Sequence, residues 1–541
     1  MAEAKLLNDE QVREFITNGF IRLQADVALA THTAIDKQLR QTFADESRLG
    51  NNIVSRIPKM HEVLRSPIVH GALVSLAGPH YYLHPHRAIH RSTPIDDPTL
   101  EFADAVDAPQ MGPGSTSGSG WHQDAQSPLA RARHHLPRHL IGFYFPHDTP
   151  LKMGPTRLQA GSHLYANPVE PRAVVLPDRV SAGTFLVVHF DMVHAGFPNR
   201  TELDRYVVKF VFTRTAAPTA PTWQSEDAGW RRPNHCLVDY DLEGPWSHIW
   251  HWLRGSRIAR AGNQTIGRNV DLTPHLANLG QADQVARLTS IYALAEQARS
   301  SSAGPVTIIA LVDALQQTAG QQKHERKLVL DETGKPKPRD DIRGWPRCWN
   351  ERAIVLEDAA YVLAASGEAA VPALIKLLRH NDPWVQINAA FSLGEIGPPA
   401  VASVEKLTNL LDSPYQQVVR QALDALGAIG CRLQLALGQI ETLLGQSNSQ
   451  WLHAQVGRGW NAQDQVRLNA AFTLLNATSL GEDLDAIECI LVPALADANG
   501  YVAAVACEAL IRIGTTTATT HAIGYLSDRR WDETLTGSKP F

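Results

Sequence analysis

At 541 residues the chain is too long for one hydrophobic core and must divide into domains of about 100–250 residues. Apolar content of 44%, charged content of 19% and a net charge of −5 describe an ordinary globular protein and exclude general attraction to nucleic acid. No apolar run approaches the ~20 residues of a membrane span, and the acidic start (Glu3, Asp9, Glu10) holds no secretory core. Five widely spaced cysteines without a Cys-x-x-Cys point to reduced thiols and a cytoplasmic location.

The spacing predicts a short amphipathic helix over 9–18, with Val12, Phe15 and Ile16 on one side and Asp9 as cap. Asn18-Gly19 ends it, and Phe20-Ile21-Arg22-Leu23 alternates into a strand. A second helix is expected over 28–43, then a strand containing His84-Pro85-His86-Arg87-Ala88-Ile89-His90-Arg91, whose basic side chains face either the interior or the outside. Residues 107–120 are rich in Gly and Ser and run straight into Trp121; they read either as a lid that orders over substrate or as a loop without a role.

In Trp121-His122-Gln123-Asp124, residues two apart point to the same side if the chain is extended, so His122 and Asp124 can hold one metal together. A further histidine completes two imidazole nitrogens and one carboxylate oxygen, the set that occupies one face of an octahedral iron(II). A strand predicted over 183–193 would deliver His194 from across the sheet, with His189 as its close competitor. Between them lie a basic stretch over 128–139, read either as a socket for an anionic group or as a solvated loop, and strands over 140–145 and 156–159. A turn at Gly161-Ser162-His163 follows, and later an alternating strand from Arg205 to Phe212, expected beside that of His194.

The opening Leu7 to Leu23, Trp121 to Asp124, Met153 to His163, and His194 followed by Arg205 resemble the phytanoyl-CoA dioxygenase family in order and spacing over about the first 215 residues. That resemblance implies a double-stranded β-helix (jelly-roll or cupin-like) with flanking helices, Fe(II) as metal, and 2-oxoglutarate and O2 as co-substrates. It makes His122, Asp124 and His194 the metal ligands and favours His194 over His189, because the step from His194 to Arg205 is the family's. It makes Arg205 the residue that grips the distal carboxylate of 2-oxoglutarate through two parallel hydrogen bonds, with Lys209 the weaker candidate. With Asp124 in place of the gap that halogenases leave for chloride, the implied outcome is hydroxylation of an aliphatic C–H in a small or medium organic substrate, releasing succinate and CO2. Desaturation, cyclisation or epimerisation is the alternative ending of the same iron chemistry.

From about residue 217 the pattern changes to an irregular connector and then a short helix with Trp246, Ile249, Trp250 and Leu253 on one face, placed to pack between the halves. Beyond 270 the chain is helical and repetitive. Val385 to Gly397 finds copies starting at Val418, Val466 and Val502, with a more degenerate one at Asp283, and this resembles HEAT-type repeats stacked into an α-solenoid. The division expected is 1–216 oxygenase domain, 217–269 connector with a Trp-rich helix, 270–525 solenoid and 526–541 tail. Insertions at 321–347 and 445–463 carry Arg343-Gly344-Trp345 and Arg458-Gly459-Trp460, and the tail carries Arg529-Arg530-Trp531. These tryptophans either form one binding ridge or each plug a gap between repeats. The repeats also leave open a scaffold that recruits a protein or carrier-bound substrate, or self-association.

Overall fold

The computed structural model describes residues 3–45, 50–95, 120–124, 132–166, 172–256, 271–281, 283–319, 356–457 and 460–529. The predicted lid (apart from Gly120), residues 128–131 of the basic stretch, the insertion 321–347 and most of the tail lie outside the described residues.

The first helix, Asp9–Asn18, is capped by Asn8, not by the expected Asp9: Asn8 and Gln11 exchange side-chain and backbone hydrogen bonds in a capping box. Asp9 is buried and accepts hydrogen bonds from Trp223 Nε1 and the backbone N–H groups of Glu226 and Asp227, which ties the connector to this helix. Gly19, at φ 80°, ends the helix where any Cβ would strike the His163 ring. The second helix runs Leu29–Asp45 and a further one Pro67–Ala77.

The strands are β1 (Phe20–Gln24), β2 (Tyr82–Ser92), β3 (His139–Tyr144), β4 (Thr149–Pro150), β5 (Arg157–Gln159), β6 (Val174–Val175), β7 (Arg179–Val180), β8 (Thr184–His189), β9 (His194–Ala195) and β10 (Arg205–Thr213). An antiparallel sheet has the order β1-β8-β3-β10-β2; β5 lies between β6 and β9 in a smaller sheet, and β4 pairs with β7. The strand predicted over 183–193 therefore ends at His189; the chain turns, and His194 begins a strand of the smaller sheet, opposite Leu158. Arg205 consequently does not neighbour the His194 strand as expected: β10 pairs with β2 and β3.

Alternation along the large sheet sorts its two faces. Leu140, Tyr144, Phe185, Val187, Tyr206, Val208, Phe210 and Phe212 pack outward against the helices before β2 and the connector helix. Ile141, Phe143, Leu186, Val188 and Val207 face the other way and meet Leu158 of β5 and Val180 of β7. Two sheets thus close on an apolar interior, with helices on one outer face. Gly142 sits mid-strand beneath Phe185, whose ring lies 2.5 Å from where a Cβ would stand.

The connector helix Glu243–Leu253 buries Trp246, Ile249, Trp250 and Leu253 as expected, with the Arg13 guanidinium 4.5 Å from the Trp250 ring centroid. The second half is helical, in successive pairs. An inner row comprises Gln284–Arg299, Asp358–Ala365, Pro383–Ile396, Gln416–Ile429, Ala462–Thr478 and Gly500–Ile513; each is followed by an outer helix. Arg287 and Asp358, both buried, pair between the first two inner helices. At Gly394 the next two approach so closely that a Cβ would lie 2.9 Å from Ala425 Cα. No helix among the described residues is long and apolar enough to cross a membrane.

The inner row lies against the first half. His135 stacks on Tyr361 with ring centroids 4.3 Å apart and reaches the Tyr292 hydroxyl at 3.0 Å. His84 stacks on Phe472, His86 meets the Tyr501 hydroxyl, and Arg512 donates to Tyr81 O. Trp460 packs its ring against Tyr501, which is the plug reading for that tryptophan; Trp345 and Trp531 lie outside the described residues.

Two outcomes follow for stability. Gly142→Ala is expected to cost about 1–3 kcal/mol through overpacking against Phe185, read as a lowered denaturant midpoint. Burial pushes His135 and His189 down to about 3 and His163 well below the ordinary value. Unfolding restores each to about 6.5, so below that pH the unfolded chain binds more protons. Stability is expected to be full above about pH 6.5 and to fall as pH drops toward 3, measured as urea midpoint against pH.

Candidate metal centre

The two histidines of the predicted set are joined through their backbones. His122 and His194 exchange both N–H···O=C bonds, at 3.1 and 3.0 Å, as an isolated antiparallel bridge, and their ring centroids stand 4.3 Å apart. His122 Nδ1 lies 2.7 Å from Gly120 O, and His194 Nδ1 lies 2.9 Å from Met192 O. A carbonyl oxygen only accepts, so in the neutral ring each Nδ1 carries the proton and each Nε2 keeps its lone pair.

Residues between and around them hold this arrangement. Trp121 is buried, with the guanidinium of the buried Arg157 4.8 Å from its ring centroid. Gln123 turns inward and donates from Nε2 to Asp191 O at 2.8 Å and to Tyr165 O at 3.2 Å, which leaves the side chains on either side of it directed together.

Asp124 closes the set. Its Oδ1 is 4.0 Å from His122 Nε2 and its Oδ2 3.7 Å from His194 Nε2; one donor atom from each residue lies within 4.8 Å of the others. Burial works against the Asp124 charge, but the Lys209 ammonium and the two imidazoles outweigh it and hold the carboxyl well below the usual range. Burial, with His122 beside it, pushes His194 down to about 4. With its rings neutral, the centre offers two nitrogen lone pairs and a carboxylate, a donor set that fits iron(II).

His189, the competitor, does not join them: its Nδ1 accepts from Asp191 N at 3.2 Å, and its ring packs against His163. Arg205, Val207 and Lys209 share the inner face of β10, opposite Ser92, His90 and Ala88 of β2. Arg205 is 5% exposed, and burial lowers it to about 10, so it remains a cation. Among the described residues no carboxylate pairs with it, and its Nε has no hydrogen-bond partner. Such a guanidinium has charged donors to offer an anion.

Three features escaped the sequence reading. Lys209 Nζ lies 2.5 Å from Asp124 Oδ2, a pairing for which the only local signal was its position on the same strand face as Arg205. His90 lies close enough to Lys209, Asp124, Arg205 and His194 to feel their charges, whereas His84 and His86 of the same strand face the helical half. In the described part of the basic stretch, 132–139, two basic side chains are tied to the helical half. His134 and Arg138 both contact the buried Glu395 of the helical half, at 3.0 and 2.5 Å.

Residues 4–207 match the family described as phytanoyl-CoA dioxygenase (PhyH), and residues 350–430 match HEAT repeats. Comparison with curated proteins returned no match. Among solved structures, the apo form of the non-haem monooxygenase ThoJ is similar at 20% identity, covering 42% of this chain and 90% of its own, with TM-score 0.29. The non-haem α-ketoglutarate-dependent carbocyclase SnoK from nogalamycin biosynthesis shows 18% identity over 42% and 88%, TM-score 0.29. EctD from S. alaskensis with 2-oxoglutarate and 5-hydroxyectoine shows 14% over 44% and 88%, TM-score 0.30. The chain therefore carries at residues 4–207 a phytanoyl-CoA dioxygenase (PhyH) domain, ahead of HEAT repeats at residues 350–430.

Proposed function

We propose that this protein is an Fe(II)- and 2-oxoglutarate-dependent dioxygenase that hydroxylates an aliphatic C–H of a small or medium organic substrate. His122, Asp124 and His194 would hold the metal, and Arg205 the distal carboxylate of 2-oxoglutarate. The observation that carries this reading is the convergence of two bare Nε2 atoms and a charged carboxylate beside a buried, unpaired guanidinium. On the same reading the two facing sheets form a double-stranded β-helix. The chain divides into an oxygenase domain over 1–216, a connector over 217–269, a solenoid over 270–525 and a tail over 526–541.

The metal when bound would supply the activation of O2 against 2-oxoglutarate and the oxidation of the substrate, leaving succinate and CO2. The chain's own residues do the rest. Gly120 O and Met192 O keep both imidazoles in the ligating tautomer. Arg205, two pleats from Lys209 on the inner face, orients a dianion lengthwise between itself and the ligand atoms. Lys209 keeps Asp124 charged and aimed until a cation takes its place. The apolar side chains between the sheets exclude water from the reacting atoms.

Incubation with Fe(II), 2-oxoglutarate and candidate small molecules is expected to release succinate. A product heavier by one oxygen atom marks hydroxylation, and one lighter by two hydrogens marks desaturation or ring closure. Asp124→Ala is expected to abolish uptake of Co(II), used as an iron surrogate, in calorimetry. Arg205→Lys is expected to retain Co(II) but to raise the 2-oxoglutarate KM by about ten- to a hundredfold, the loss of a two-pronged charged hydrogen bond worth about 1.5–3 kcal/mol.

A further inference from the structure

The described chain resumes after Asp124 at Ala132, and the segment from there to β3 is held by the helical half. Tyr361 donates its hydroxyl to Arg133 O at 2.9 Å, and His135 is seated between Tyr361 and Tyr292. Glu395 accepts from Arg138 Nε at 2.5 Å and contacts His134 Nδ1 at 3.0 Å, while Arg138 Nη2 donates to Gly394 O at 3.0 Å. Three successive inner helices, Gln284–Arg299, Asp358–Ala365 and Pro383–Ile396, thus each anchor this segment.

From His134 the contacts continue into the metal centre. The His134 backbone N–H donates to Asp191 Oδ2 at 3.3 Å. The Asp191 backbone oxygen accepts from Gln123 Nε2 at 2.8 Å, and Gln123 stands between His122 and Asp124. Asp191 also opens the turn that ends at His194, and its N–H donates to His189 Nδ1 at 3.2 Å. One buried carboxylate of the helical half is therefore linked, through His134 and Asp191, to both stretches that would supply ligand atoms.

We propose that the helical half is a built-in clamp on the metal centre, with Glu395 as the positioning residue that acts through His134 and Asp191. The inference rests on the metal reading above and extends it to a residue far along the chain. Glu395 touches neither ligand atoms nor substrate; it holds the segment that holds Asp191. Outer partners of this kind alter metal affinity because they set the angle at which ligands are presented. A contiguous chain of contacts becomes a coupling only when a change at one end is measured at the other.

The test uses the full chain and Co(II) as probe, read by calorimetry and by the visible absorption of the bound ion. Glu395→Ala is expected to weaken Co(II) binding by about tenfold or more and to shift the absorption, with Glu395→Gln about threefold weaker. Arg512→Ala is the control. It removes an anchor at another part of the same interface, where Arg512 donates to Thr215 Oγ1 and Tyr81 O, and is expected to keep wild-type affinity and spectrum even if the melting temperature falls. Wild-type affinity and spectrum in Glu395→Ala, or in Glu395→Gln should the alanine variant not fold, overturns the proposal. So does an equal weakening by Arg512→Ala, since the interface would then act only by holding the fold. A wild-type chain that takes up no Co(II) overturns the metal reading and this inference with it, an outcome distinct from normal uptake with an indifferent Glu395.

Discussion

The paired backbone hydrogen bonds between His122 and His194 are the constraint on which the rest of this structure depends. They set two imidazoles side by side, while Gly120 O and Met192 O fix the proton of each ring on the nitrogen that points away. Two lone pairs then face one point, and Asp124 completes the group from the same short stretch as His122. The β5–β9 pairing and the buried Trp121–Arg157 contact support this bridge from behind. Gln123, directed away from the ligands, pins the same stretch to Asp191 and Tyr165.

Charge organises the space in front of the ligands. The inner face of β10 carries Arg205 and Lys209, and Lys209 engages the Asp124 carboxylate. Arg205 is left buried and unpaired among the described residues, a costly arrangement unless an anion arrives to meet it. A protein that held only the apolar interior would have no reason to keep a guanidinium there.

The helical repeats have a role that their periodicity does not suggest. Solenoids of this kind commonly offer an inner surface to partners. Here aromatic and charged residues of the inner row, among them Tyr292, Tyr361, Glu395, Phe472, Tyr501 and Arg512, engage the dioxygenase half of the same chain. In the basic stretch 132–139, His134 and Arg138 pair with Glu395 and His135 stacks on Tyr361, so these three side chains are engaged by the helical half.

Much of this architecture was legible locally. The spacing of His122 and Asp124, the alternation of Arg205 to Phe212, the one-sided apolar faces of the first and connector helices, and the recurring Val385-type repeat are short-range patterns. Each is set by the periods of strand and helix and by the side on which apolar residues fall. Asn8, not Asp9, caps the first helix because Asp9 is drawn to Trp223 and the connector, a partner more than 200 residues away that no local pattern encodes. For the same reason the sequence could nominate His194 and Arg205 but not the sheet each would join, nor Lys209 as the companion of Asp124, nor Glu395 as that of His134 and Arg138. The sequence by itself determined the types and order of the candidate ligand residues and the repeat period. Only the tertiary structure decided which surfaces meet, because those contacts depend on the packing of distant elements and not on the neighbours of any one residue.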